Sequence, residues 1–220
     1  MRILVVDDHP LIREALRQVL RALDGDVELL EARNRDEALT LTRDNADLDL
    51  VLLDLAVPGA QGMNVLEELR DGHPALPIVV LSATEASDTV VRAIDAGAMG
   101  FIPKSSPSQV LVQALRLVLA GGVYLPREAL RKDATMPAPQ APQDPGALRS
   151  PRDIGLTDRQ AQVLALMVQG KPNKIICREL NLAEGTVKIH ITAILKALNV
   201  SNRTQAVIAV SRLGLRLPTH

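Results

Sequence analysis

Five polar residues stand at the ends of short apolar runs in the first half of the chain. Asp7 and Asp8 follow residues 3–6, Asp54 follows 50–53, Ser82 follows 78–81, and Lys104 lies just past 100–102. Carboxylates brought together repel one another unless a cation lies among them, and an oxygen-only set with room for water suits magnesium. A carboxylate can also act as a nucleophile toward a phosphoryl group when a metal offsets charge on the phosphoryl oxygens. In that chemistry Asp54 is the nucleophile and Asp7 and Asp8 hold Mg2+. Lys104 pairs with the phosphoryl group, and the Ser82 hydroxyl hydrogen-bonds one of its oxygens.

These residues meet only if the apolar runs become neighbouring strands. The runs 3–6, 27–30, 50–53, 78–81 and 100–102 are apolar at nearly every position, the pattern of parallel strands covered on both faces. Helical periodicity fills the intervals 11–23, 34–44, 62–71, 86–96 and 107–120. Alternation of this kind predicts a doubly wound, flavodoxin-like (βα)5 domain of the α/β class, whose ligands bind beyond the carboxyl ends of the strands. In the strand order 2-1-3-4-5 the first and third strands adjoin, which brings Asp7, Asp8 and Asp54 together.

Composition divides the chain. Residues 1–130 carry 12 Lys/Arg against 20 Asp/Glu, whereas residues 156–220 carry 9 against 3. An acidic half followed by a basic half points to a nucleic-acid partner for the second. Between them, Pro137, Pro139, Pro142, Pro145 and Pro151 leave 131–155 with no expected regular element, a semi-extended linker. The expected organisation is a domain at 1–125, a linker at 126–153 and a small all-α, four-helix domain at 154–220. Phe101 and Tyr124 are the only aromatics of the Phe, Trp and Tyr class, which disfavours a large aromatic-lined ligand pocket. A single cysteine, Cys177, and the lack of a leader or an apolar stretch approaching 18 residues lead us to expect a cytoplasmic protein with no membrane partner.

In the second half, Thr157 and Gln160 form a capping-box pattern ahead of an apolar face of Val163, Leu164, Leu166 and Met167 that ends at Gly170. A second helix is expected over 173–180, a tight connection at 181–183, a third helix over 184–198 and a fourth over 203–213. Val187, Ile191, Ile194, Leu195 and Leu198 fall on one stripe of the third helix. The opposite face carries Lys188, Ile189, Thr192 and Lys196, a set that fits a major groove. Lysine reaches guanine acceptors or phosphate, and Ile189 and the Thr192 methyl suit thymine methyls. Asn173, Lys174 and Arg203 stand at helix starts, where phosphates are contacted.

With these residues in view, 2–120 resembles the receiver domain of bacterial response regulators. The resemblance rests on Asp7-Asp8, on Asp54 with the following Leu-Ala-Val-Pro-Gly, on Leu81-Ser82-Ala83 and on Phe101-Ile102-Pro103-Lys104. It implies that the backbone carbonyl of Ala56 completes the metal site and that Ser82 and Phe101 form the switch that senses phosphorylation. The second half resembles the LuxR-type helix-turn-helix, through Leu156-Thr157-Asp158-Arg159, Asn173-Lys174-Ile175-Ile176, Gly185-Thr186-Val187-Lys188-Ile189-His190 and Asn202-Arg203-Thr204-Gln205-Ala206. It adds Thr186 to the residues expected at DNA. Together the halves resemble the NarL/FixJ class of two-component regulators. That implies phosphorylation by a sensor histidine kinase, binding of double-stranded DNA, and a homodimer when phosphorylated.

Departures from the family pattern are Gln160 for glutamate, and Pro172 and Ala183 for serines. A phosphatase of the haloacid-dehalogenase type needs a second carboxylate two residues after its nucleophile, and Ala56 stands there. No enzyme acting on outside esters is expected, only self-promoted phosphorylation and slow dephosphorylation. Two other readings, a phosphorylation-independent interaction module and a small-ligand sensor, are disfavoured by the complete set of acidic-site residues and by the scarcity of aromatics.

Overall fold

The computed structural model describes residues 1–23, 26–61, 63–84, 86–126 and 150–218. The chain forms two compact units, Met1–Lys132 and Asp133–His220. Of the segment expected to be a linker, 127–149 lie outside the described residues.

Unit one alternates strands and helices: β1 (Arg2–Val6), α1 (Pro10–Arg21), β2 (Glu28–Ala32), α2 (Arg35–Asp44), β3 (Leu50–Asp54), α3 (Asn64–Gly72), β4 (Ile78–Ser82), α4 (Ser87–Asp95), β5 (Gly100–Pro103) and α5 (Ser108–Leu119). All strand pairs are parallel, in the order β2-β1-β3-β4-β5. Successive strand residues face opposite sides, so continuous apolar runs feed two cores. Leu4, Val6, Val51, Leu53, Val80 and Phe101 pack with Ala38, Leu66, Leu69, Val90 and Ala93 from α2, α3 and α4. Ile3, Val5, Leu52, Val79, Leu81 and Ile102 pack with Leu16, Leu20, Leu111 and Leu115 from α1 and α5. Burying each such Val, Leu, Ile or Phe side chain contributes about 1.5–3 kcal/mol relative to exposure, which fixes the register of the central strands.

β2 departs from expectation. It begins a residue later than predicted and ends two residues later. Most of it is only partly buried, because it lies at the sheet edge. Its two glutamates use that position: Glu28 pairs with Arg2, while Glu31 meets both Arg13 and Arg17 of α1. Charged side chains on an edge strand also oppose pairing with another chain.

Unit two holds a 3₁₀ helix at Pro151–Ile154, then α6 (Asp158–Val168), α7 (Asn173–Leu180), α8 (Glu184–Ala197) and α9 (Arg203–Leu213). The 3₁₀ turn corrects the expectation that 131–155 contains no regular element. Ser150 and Asp153 form a capping box around it, and Pro151 sits at its start, where a missing N–H costs nothing. Proline content alone concealed this signal.

Side-chain caps explain the starts of α6, where one was expected, and of α9. Thr157 Oγ1 accepts from Gln160 N–H and Gln160 Oε1 accepts from Thr157 N–H, so glutamine performs the part of the usual glutamate. Asn202 accepts from Gln205 N–H to start α9. Pro172 and Ala183, ahead of α7 and α8, provide no side-chain cap. Asn181 adopts a left-handed conformation (φ 50°) in the connection between α7 and α8, a conformation asparagine tolerates better than most residues. Among the described residues, no helix is long and apolar enough to cross a membrane.

Candidate functional site

The ends of β1, β3, β4 and β5 form the rim of unit one, and the five expected polar residues come together there. Val6 is opposite Leu53, Asp54 opposite Leu81, and Ser82 opposite Pro103. This register sets Asp7 beside the Asp54 end of β3 and Lys104 beside Ser82. Asp7, Asp54 and Ser82 are buried, and Asp8 is partly exposed.

Lys104 Nζ lies 2.7 Å from Asp7 Oδ2 and 2.7 Å from Asp54 Oδ2. Burial works against the ammonium, but its hydrogen bonds and charge contacts with Asp54 and Asp7 prevail and raise its pKa. It is therefore a cation at neutral pH. The Lys104 backbone N–H donates to the Ser82 carbonyl at 2.7 Å, fixing the loop after β5 against the end of β4. Asp54 Oδ1 accepts from Ala56 N–H at 3.1 Å, and the Ser82 hydroxyl accepts from Thr84 N–H at 3.2 Å. A hydroxyl that accepts from an amide can still donate to a phosphoryl oxygen. Phe101 is fully buried between the sheet and its covering helices, and its backbone N–H donates to the Tyr124 carbonyl at 3.0 Å.

One ligand atom from each of Asp7, Asp8, His9 and Asp54 can be chosen so that all lie within 4.8 Å of one another. Asp8 Oδ1 is shut off from water and receives no hydrogen bond. A hard divalent cation fits such a set: the donors are mostly carboxylate oxygens, and a buried acceptor lacks a donor. His9 was not expected at the site. It stands next to Asp8 in the chain, and an isolated histidine after an Asp-Asp pair carries no spacing signal of its own. Arg13 was also missed; its guanidinium donates to the Asp7 carbonyl at 2.8 Å and to Glu31 at 2.9 Å, bracing the loop after β1.

In unit two the expected stripe of α8 is buried, at Val187, Ile191, Ile194, Leu195 and Leu198. On its other side Ile189 is 69% exposed, a large apolar side chain held out in solvent. Lys196 is exposed, and Thr186 and Thr192 are partly exposed. Lys188 differs from the open disposition read from the sequence. Its side chain is only 16% exposed and pairs with Glu184 one turn earlier at 3.5 Å.

Asn173 and Lys174 occupy the first turn of α7, partly buried and exposed respectively. Arg203, at the start of α9, donates to the carbonyls of Met167 at 2.8 Å and Lys171 at 2.7 Å. Its guanidinium thereby ties α9 to the carboxyl end of α6, where a cation is favoured. Burial lowers its pKa to about 10, which still leaves it charged at neutral pH. Cys177, partly buried on α7, has its thiol pKa raised by burial and by nearby Glu184, which favours the protonated thiol.

Comparison with known proteins identifies the family of each unit. Residues 3–116 match the response regulator receiver domain, and residues 155–210 match the luxR family of bacterial regulatory proteins. The chain is 41% identical over 209 residues to the glycerol metabolism activator of Pseudomonas putida, covering 94% of each. It is 34% identical over 209 residues to the nitrate/nitrite response regulator NarL of Escherichia coli K12, again covering 94% of each. A crystal structure of a LuxR-family two-component response regulator from Aurantimonas sp. SI85-9A1 aligns with a TM-score of 0.55 and 34% identity, over 59% of this chain and 92% of that one. With a receiver's acidic rim in one unit and a helix-turn-helix in the other, the chain belongs to the NarL/FixJ class of two-component response regulators, phosphorylation-dependent transcription regulators with a LuxR-type DNA-binding domain.

Proposed function

We propose that Asp54 is the phosphoacceptor, that a sensor histidine kinase supplies the phosphoryl group, and that phosphorylation favours a homodimer whose α8 helices read DNA. The observation that carries the proposal is the buried Asp54 carboxylate at the end of β3, facing Lys104 at 2.7 Å beside Asp7. An oxygen of Asp54 attacks phosphorus, the bond from phosphorus to the donor nitrogen breaks, and that nitrogen leaves with its electron pair. Lys104 then moves its contact from Asp54 Oδ2 to a phosphoryl oxygen, and Ser82 donates to another. When bound, Mg2+ offsets negative charge on the phosphoryl oxygens; Asp7, Asp8, Asp54 and the Ala56 carbonyl would hold it. Ser82, drawn toward the phosphoryl group, and Phe101, two residues before its register partner Pro103, relay the change to the surface around β4 and β5.

At DNA, Lys188, Ile189, Thr192 and Lys196, with Thr186 in the first turn, face the major groove. Asn173, Lys174 and Arg203 lie toward phosphates. For Arg203 the guanidinium group that ties α9 to α6 serves both tasks. A dimer would place two copies of α8 about 34–36 Å apart, on half-sites one turn of the double helix from each other. Such a regulator works in the cytoplasm, where its operators lie.

The test is intact-mass measurement after incubation with a small phosphoryl donor and Mg2+. Wild type should gain one phosphoryl group that hydroxylamine removes, and neither chelated wild type nor Asp54→Asn should gain it. Equal labelling of Asp54→Asn would refute the assignment.

A further inference from the structure

The acidic rim contains one nitrogen donor, and its placement is constrained by the backbone. His9 precedes Pro10, which disfavours a helical conformation at His9, and the residue is extended at φ −85° and ψ 112°. Its backbone N–H donates to Asp7 Oδ1 at 2.8 Å, folding the residue back over the Asp7 carboxylate. The ring follows, placing Nδ1 3.1 Å from Asp7 Oδ1 and 2.8 Å from Asp8 Oδ1.

The contact with Asp8 is short yet lacks hydrogen-bond geometry, since Asp8 Oδ1 is a buried acceptor that receives no hydrogen bond. Nδ1 is within hydrogen-bond reach of Asp7 Oδ1 as well, and in the tautomer that leaves a lone pair on Nδ1 a cation held between the ring and both carboxylates takes the place of that hydrogen bond. The imidazole is 61% exposed and so closes the outer side of the cluster, while Lys104 lies against the Oδ2 atoms of Asp7 and Asp54.

We propose that His9 is a ligand of the rim cation, through Nδ1, and that it makes the site select imidazole-binding first-row divalent ions such as Co2+ and Ni2+ over Mg2+. The inference rests on the metal-binding reading above and deepens it. Mg2+ takes oxygen donors and keeps several waters, so it gains little from an imidazole. Ions further along the first row bind imidazole readily. Carboxylates alone already favour those ions to some degree, so the diagnostic quantity is how much of the preference depends on the ring.

The experiment titrates full-length wild type and His9→Gln with Mg2+ and with Co2+ by calorimetry, and records the electron spin-echo spectrum of each protein with Mn2+. Loss of the ring should weaken Co2+ binding about 10-fold or more, the scale on which altered metal surroundings act. Mg2+ affinity should change little. Wild type with Mn2+ should show nitrogen modulation from a bound imidazole, and His9→Gln should not. If His9→Gln retains both ions and the nitrogen modulation, His9 is no ligand, while the carboxylate site stands. Equal losses for Mg2+ and Co2+ would overturn the selectivity. If wild type binds neither ion, the metal reading itself fails, and this inference with it.

Discussion

Lys104 is the residue on which the resting site depends, because its one ammonium pairs with two buried carboxylates at once. Removing one partner of a buried charge group costs about 3–5 kcal/mol, since the remaining charges are left unpaired. Lys104→Met should therefore destabilise unit one by roughly that amount in chelator, and added Mg2+ should recover more stability than it gives wild type. Denaturant unfolding with and without Mg2+ measures both; an unchanged midpoint in chelator would mean the carboxylates do not need the ammonium. Arg203 has a corresponding part in unit two, donating to the Met167 carbonyl at the end of α6 and to the Lys171 carbonyl beyond it. Arg203→Met should cost about 1.5–3 kcal/mol, the scale of a hydrogen-bonded charged group, before any effect on DNA is considered. Its thermal unfolding should be compared with that of Lys174→Ala, whose exposed position predicts little change.

Among the elements, those with the strongest sequence signals are the ones that position the site. β3 and β4 are buried along their whole length, and their uninterrupted Val, Leu and Ile runs announced it. β2 was harder to bound, because an edge strand tolerates glutamates that break an apolar run. The 3₁₀ turn at Pro151–Ile154 was hidden by the same prolines that help to form it. In the site, residue types at strand ends were legible because topology brings strand ends together. The place of His9 was not, since it depends on a backbone turn, and neither was the Lys188–Glu184 pair, which depends on side-chain conformation. α8 starts without a side-chain cap at Ala183, whereas α6 and α9 both have one. Ala183→Ser should stabilise unit two by about 0.5–2 kcal/mol, read as a higher unfolding midpoint. Lys188→Ala should weaken operator binding by about 1–3 kcal/mol if it touches a base, and Ile189→Ala should relax preference at a thymine-bearing position. Operator binding unaffected by Lys188→Ala would remove that end of α8 from the groove.

At the scale of the whole molecule, an acidic receiver and a basic reader divide sensing from binding. Residues 156–220 hold nine of the chain's 25 basic side chains and only three of its 26 acidic ones, so phosphate contacts should make DNA binding fall steeply with salt. Dimerisation adds to affinity through effective concentration, without any new contact to DNA. The proposed coupling of the two halves runs through Asp54, and its most direct test is DNA affinity before and after phosphorylation. Fluorescence anisotropy with full-length protein and a two-half-site operator, at fixed salt, should show roughly tenfold or greater tightening of wild type by phosphoryl donor and Mg2+. Asp54→Asn should show none. Identical affinity of phosphorylated and unphosphorylated wild type, or equal tightening of Asp54→Asn, would contradict the account.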